Sequence, residues 1–128
     1  MYQIIKQLLE DIDEMNYRYQ HVKINGGSFD FYKDVEPYVK NIDNHLEALN
    51  CYSKSITETQ YMSQQKLDLL ILNIQKLSVD CHFPRTSRKL FVEKLKSAQY
   101  DLKNILSNYV KKKKKWLKLF ILLAINLL

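Results

Sequence analysis

The chain has 128 residues, 46% of them hydrophobic, and 20 Lys and Arg against 14 Asp and Glu give it a formal net charge of +6. That length suits a single domain with a core of its own, and two glycines and two prolines are too few for the turns of a many-stranded protein. Six lysines fall in residues 111–128, which hold no acid, so residues 1–110 carry 14 basic and 14 acidic groups and are neutral; that balance argues against nucleic acid as a partner.

In the first segment Ile5, Leu8, Leu9, Ile12, Met15, Tyr19 and Val22 recur at three- and four-residue steps, with Lys6, Gln7, Glu10, Asp13, Glu14 and Arg18 on the opposite face. This predicts an amphipathic helix. It should close at Asn25-Gly26-Gly27, where positive φ is available. The N-terminus turns acidic within a few residues and lacks a continuous apolar run, so it does not read as a signal peptide.

Ser28 is the predicted N-cap of a short piece over Phe29–Glu36. Pro37 lacks an N–H and disfavours the α region at Glu36, so a kink or break is expected there. Pro37 should lie near the first turn of a longer helix, in which Tyr38, Val39, Ile42, Leu46, Leu49, Tyr52 and Ile56 keep the helical period. The polar Thr57–Tyr61 reads as a loop.

Ser63 offers the next cap, ahead of Leu67, Leu70, Ile71, Ile74, Leu77 and Cys81. Leu69 and Leu72 widen the stripe and predict that this third helix is the most buried. His82-Phe83-Pro84-Arg85 should break the chain, and Thr86 or Ser87 should cap a fourth helix. Its stripe is Leu90, Phe91, Leu95, Ala98, Leu102, Ile105, Leu106 and Tyr109. Helices of this kind joined by short breaks predict an all-α, up-down-up-down four-helix bundle over residues 1–110, with residues 111–128 as an extension.

Bundles often host metals, and the ferritin-like pattern needs Glu-x-x-His steps, because i and i+3 share a helix face. The residues three before His21, His45 and His82 are Arg18, Ile42 and Val79, so the pattern fails at each. Cys81 and His82 are adjacent, which on a helix turns them about 100° apart, and no nucleophile elbow, P-loop or dinucleotide-binding glycine pattern is present. Two lone cysteines, Cys51 and Cys81, make no disulfide framework and suit a reducing, cytoplasmic setting. The sequence therefore calls for no cofactor and no catalytic residue.

Charge clusters remain. Acids gather at Glu10, Asp11, Asp13 and Glu14, and bases at Arg85, Arg88, Lys89, Lys94 and Lys96; both are what a solvated helix face also shows. Cations at a helix N-terminus oppose the macrodipole by a few tenths of a kcal/mol each, which favours a use for them. Phe29-Asp30-Phe31-Tyr32 either closes one end of the bundle or floors a groove for a partner, since tyrosine suits both settings.

The run SFDFYKDVEPYVKNIDNHLEALN, with SQQKLDLLILNIQKLS and RKLFVEKLKSAQYDLKNIL, resembles the YppE-like family of small proteins from low-GC Gram-positive bacteria. The likeness lies in Phe29, Asp30, Phe31 and Tyr32, in Pro37, and in Phe91 followed by Ser97, Tyr100 and Leu102, and it covers residues 1–110. It implies a cytosolic four-helix bundle of unknown function and transfers no site residue.

The extension, KKKKKWLKLFILLAINLL, falls outside that likeness. Its ten residues from Leu119 reach only about 15 Å at ~1.5 Å per residue, short of the ~20 apolar residues that span a bilayer. Lysines at anionic headgroups with Trp116 at the interface fit peripheral membrane contact better, although the segment is apolar all round. The five consecutive lysines also imply an adenine-rich codon run, so the same residues are open to a reading as out-of-frame translation.

Together these features lead to a non-enzymatic cytoplasmic bundle that binds another protein, through Phe29, Phe31, Tyr32, Arg85, Arg88 and Lys89. The alternative is a metal- or small-ligand-binding bundle, enzymatic in one version, using His45 with a carboxylate from a neighbouring helix.

Overall fold

A computed structural model describes residues 1–27, 29–59 and 61–127, and the regular structure in them is helical. The first helix, α1, spans Tyr2–Asn25. Its predicted stripe faces inward, with Ile5, Leu8, Ile12, Met15, Tyr19 and Val22 all buried. Gly26 ends the helix at φ 62°, and its N–H donates to the Val22 carbonyl at 2.9 Å. A side chain at that φ would be strained, so glycine is used there as the sequence suggests.

The predicted cap Ser28 lies outside the described residues. Asp30 performs capping next to it, its carboxylate accepting the Lys33 N–H at 2.8 Å. A π-helical turn, Phe31–Val35, follows and runs into α2, Glu36–Asn50. Pro37 sits in the first turn of α2, directly after the π-helical turn in which the Glu36 N–H donates to the Phe31 carbonyl, and with no N–H of its own it cannot continue that ladder. The expected irregularity at Pro37 is thus a change of helical pitch just before it.

The second helix was expected to run through Ile56, but α2 stops at Asn50 and a separate short helix, α3, spans Ser53–Thr57. The Tyr52 N–H donates to the Leu49 carbonyl at 2.9 Å, a tightened last turn that redirects the chain. Ile56 still reaches the core, while Tyr52 stays 40% exposed.

Helix α4 spans Gln64–Asp80, with the Ser63 hydroxyl accepting the Lys66 N–H at 3.1 Å as predicted. Leu67, Leu70, Ile74 and Leu77 point inward. Leu69 and Leu72 do not widen the buried stripe; they are 56% and 44% exposed, and α1 rather than α4 buries the most residues. At ~100° per residue Leu69 lies about 120° from the centre of the buried stripe and Leu72 nearly opposite it, so both fall outside the buried face.

Helix α5 spans Arg88–Leu127, 40 residues and hence about 60 Å. Ser87 meets the Leu90 N–H at 3.5 Å. Phe91, Leu95, Ala98, Leu102 and Ile105 are buried, whereas Leu90, counted in the stripe, is solvent-facing at 56%. Beyond Tyr109 the described side chains are all exposed, and the helix continues unbroken through the lysine run.

The order around the bundle is α1, α2, α4, α5, closing back onto α1. Asp11 meets His45 and Arg18 meets Tyr38, so α1 and α2 are antiparallel. Tyr38 near the start of α2 meets His82 just past the end of α4, so α2 and α4 are antiparallel. Phe91 packs on Tyr19 while Trp116 lies near Met1, so α5 runs against α1. This is the predicted up-down-up-down bundle, with a core of aliphatic side chains joined by Tyr19 and Phe91.

Candidate functional site

Two polar clusters interrupt the apolar interior, and both start from α1. Asp11, 5% exposed, sits in the buried stripe between Leu8 and Met15. Its carboxylate meets the His45 Nδ1 at 2.6 Å and accepts from Gln7 at 3.0 Å. The sequence reading placed Asp11 in a general acidic patch; the overlooked signal is its position three residues after Leu8 and four before Met15, inside the apolar stripe. The carboxylate partner foreseen for His45 is therefore present. Cys51 is exposed and Cys81 is buried, so these two thiols and His45 do not share one pocket, and no group of three or more His, Cys, Asp or Glu side chains suited to a metal occurs among the described residues.

The second cluster is built around Arg18. Expected on the solvent face, Arg18 is instead half-buried, with 24% of its side chain exposed. Its Nε and Nη2 donate to Glu14 at 3.3 and 3.1 Å, the i,i+4 pair of one helix face. Its Nη1 lies 2.9 Å from the His82 Nε2. Arginine has no acceptor, so the histidine nitrogen must accept and the ring is neutral, with its proton on Nδ1. The guanidinium also lies 3.9 Å from the Tyr38 ring centroid and 5.9 Å from that of Phe29, a desolvated cation–π contact.

His82 is 1% exposed and meets the edges of both rings, at 4.8 Å from Phe29 and 5.1 Å from Tyr38. Burial holds its pKa below 6.5, the adjacent Arg18 charge lowers it further, and the Val79 and Ser78 carbonyls oppose the shift. The Tyr38 hydroxyl is buried without a hydrogen-bond partner among the described residues. Its pKa is raised by that burial first and by the neighbouring Cys81 and Glu14 next.

Cys81 and His82 were expected to diverge by 100°, which holds within a helix. Helix α4 has ended at Asp80, and in the turn that follows the Cys81 Sγ comes within 3.4 Å of the His82 Nδ1. The pair is still no nucleophile, because burial pushes the Cys81 thiol up to about 12, and a thiol that does not ionise does not attack. In native protein Ellman's reagent should therefore titrate the exposed Cys51 quickly and reach Cys81 only when denaturant is added. Rapid reaction of both would contradict the dry site.

On the solvent side of Arg18 opens a cleft of about 610 Å³, lined by Glu14, Tyr17, Phe29, Lys33, Asp34 and Tyr38 among others. Of the predicted interaction residues, Phe29 is half-buried against His82 and closes this end of the bundle. Phe31 and Tyr32 do not close it; they are 54% and 77% exposed, with their rings edge to face at 5.2 Å. Arg85, Arg88 and Lys89 are exposed in the turn and first residues after His82. The Phe29–His82 contact thus brings the two predicted segments to the same end of the molecule.

Relatives fit this architecture. A family model described as a bacterial domain of unknown function, DUF1798, matches residues 5–109. The chain belongs to the DUF1798 family. A DUF1798 protein of unknown function from Staphylococcus aureus subsp. aureus is 46% identical, with 84% of this chain and 93% of that one covered at a TM-score of 0.82. YppE from Bacillus subtilis, 18% identical, covers 83% of this chain and 91% of its own at 0.76, and a protein of unknown function from Listeria innocua, 24% identical, covers 89% and 93% at 0.75. These two carry the fold alone; the YppE-like resemblance is borne out by the family model over residues 5–109 and the 46% identical Staphylococcus aureus protein, with YppE sharing the fold. No curated protein matches. The DUF1798 match takes in both polar clusters and ends before the lysine run.

Proposed function

We propose that this protein acts inside the cell without catalysing a reaction, as a bundle that binds another protein through the end carrying Phe29, Phe31, Tyr32, Arg85, Arg88 and Lys89. The observation that carries this reading is the exposure of Phe31 and Tyr32 at the same end of the bundle as three cations that make no ion pair among the described residues. Aromatic side chains and arginine are the residues most enriched at the energetic centres of interfaces. Asp30 and Asp34 beside the two aromatics are occupied within the chain, Asp30 on the Lys33 N–H and Asp34 on the Asp30 N–H. A partner surface with carboxylates flanking an apolar residue matches this end.

A photo-crosslinking residue at position 32 tests the reading in cells. One discrete adduct is expected, and Arg85→Glu, Arg88→Glu and Lys89→Glu together should reduce it at least tenfold while leaving the melting temperature unchanged. Adducts of equal yield with and without the charge reversal would refute it.

A further inference from the structure

The C-terminal segment of α5 carries a charge pattern that the bundle engages through Lys112 on Glu58. Lys111–Lys115 are five consecutive residues, and at 100° per residue they encircle the helix rather than line one face. Trp116, Leu117, Leu119, Phe120, Ile121, Leu122, Leu123, Ile125 and Leu127 follow, between 46% and 88% exposed, and they too surround the axis. Charge and apolarity are therefore separated along the helix, whereas a helix lying flat on a membrane separates them around it. From Trp116 to Leu127 the rise is about 17 Å, close to the ~15 Å of one leaflet in a ~30 Å hydrocarbon core. No described helix is long and apolar enough to cross a membrane.

We propose that residues 111–127 insert end-on into one leaflet of an anionic lipid bilayer, with the lysine collar at the headgroups and Trp116 at the interface. Lys118, one turn below the collar, reaches back to the headgroups along its aliphatic stem. Continuity of α5 then fixes the orientation of the bundle. The end formed by Met1, α3 and Tyr109 faces the lipid, where Glu58 holds Lys112 at 3.7 Å, and Phe31 and Tyr32 face away from it. A second copy of the chain suits this segment less well, because parallel tails would stack two lysine collars against each other.

Trp116 is the single tryptophan, so its fluorescence reports on the segment directly. Full-length protein is titrated with vesicles of phosphatidylcholine alone and of phosphatidylcholine with phosphatidylglycerol in equal parts. A blue shift is expected with the anionic vesicles only. Lys113→Gln with Lys114→Gln should weaken partitioning about thirtyfold, since each lysine near an anionic surface is worth about fivefold. Insertion depth is read with Leu127→Trp in a Trp116→Phe background, using lipids brominated near the headgroup or near the chain end. End-on insertion predicts quenching chiefly by bromine at the chain end. An unchanged spectrum with anionic vesicles, or quenching chiefly by shallow bromine, would overturn the proposal. So would a concentration-dependent shift without lipid, accompanied by dimer in sedimentation, which would make a second copy the occupant.

Discussion

Replacing Phe91 with alanine is expected to lower the unfolding free energy by about 4 kcal/mol, most of the margin of a domain this size. Phe91 is 1% exposed at the start of α5 and meets the Tyr19 ring edge-on at 4.0 Å. Tyr19, itself 1% exposed, donates its hydroxyl proton to the Thr86 carbonyl, so the pair joins α1, α5 and the turn before α5. The truncation leaves a cavity that neighbouring helices cannot fill, and it removes the aromatic contact as well. Leu90→Ala, one residue away but 56% exposed, should cost no more than about 0.5 kcal/mol. Urea melts of both variants decide the matter; equal losses would mean that the register of α5 is wrong by one residue.

Arg18→Ala is the second substitution with a large expected effect, a loss of about 3 kcal/mol. The guanidinium's stacking on Tyr38 is worth up to ~2 kcal/mol when desolvated, and a buried His82 nitrogen left without its donor costs about 1–3 kcal/mol more. Loss of the Glu14 pair adds little, because Glu14 is half in solvent, at 51%, and exposed pairs contribute about 0–1 kcal/mol. Arg18→Lys should not restore the protein fully, since an ammonium cannot lie flat on the ring and reach both Glu14 and His82. A lysine variant as stable as the native chain would show that charge alone matters at this position.

The same cluster sets a pH dependence. The His82 pKa in the folded protein lies below its usual 6.5, so below about pH 6.5 the unfolded chain binds a proton that the folded chain refuses. Stability is therefore full above pH 6.5 and falls as the pH drops toward the native pKa, below which the loss stops growing. Asp101, raised above 3.8 by burial, gives the opposite slope at lower pH, where stability is lost as the pH rises through its native pKa. His82→Gln should flatten thermal stability between about pH 5 and 7. Arg18→Ala should only narrow the window, because burial, the larger cause of the shift, remains.

Periodicity made the helices legible before any coordinates, because burial of one stripe is a local property of a 3.6-residue repeat. Ile5 to Val22, Ser63 at its cap and Gly26 at its end all lie where the repeat and the capping rules put them. Burial away from the centre of a stripe was not legible. Leu69, Leu72 and Leu90 are hydrophobic yet exposed, while Asp11, Arg18 and His82 are polar yet drawn inside or half inside. Hydrophobicity is a property of the residue, but whether a position away from that centre is covered depends on how near the next helix passes.

The candidate interface was legible as two separate segments and no more. Aromatic density singled out Phe29 to Tyr32, and a charge run singled out Arg85 to Lys89, but nothing in either segment says that the two meet. The alternating up-down packing of α1, α2, α4 and α5 brings them to one end, and the Phe29–His82 contact records it.

The opening charge of +6 illustrates the same division. The sequence by itself determined that the body is neutral, that the excess is confined to residues 111–128, and that the chain is helical, because composition, charge and periodicity are additive or local. Tertiary structure decided that Arg18 and His82 join Tyr38 in one cluster, that the Cys81 thiol is buried, and that the lysine run prolongs α5 as continuous helix at the end of the bundle that carries Met1 and Glu58. Those outcomes depend on which faces the folded chain brings together, and the distances involved exist only once the helices have packed.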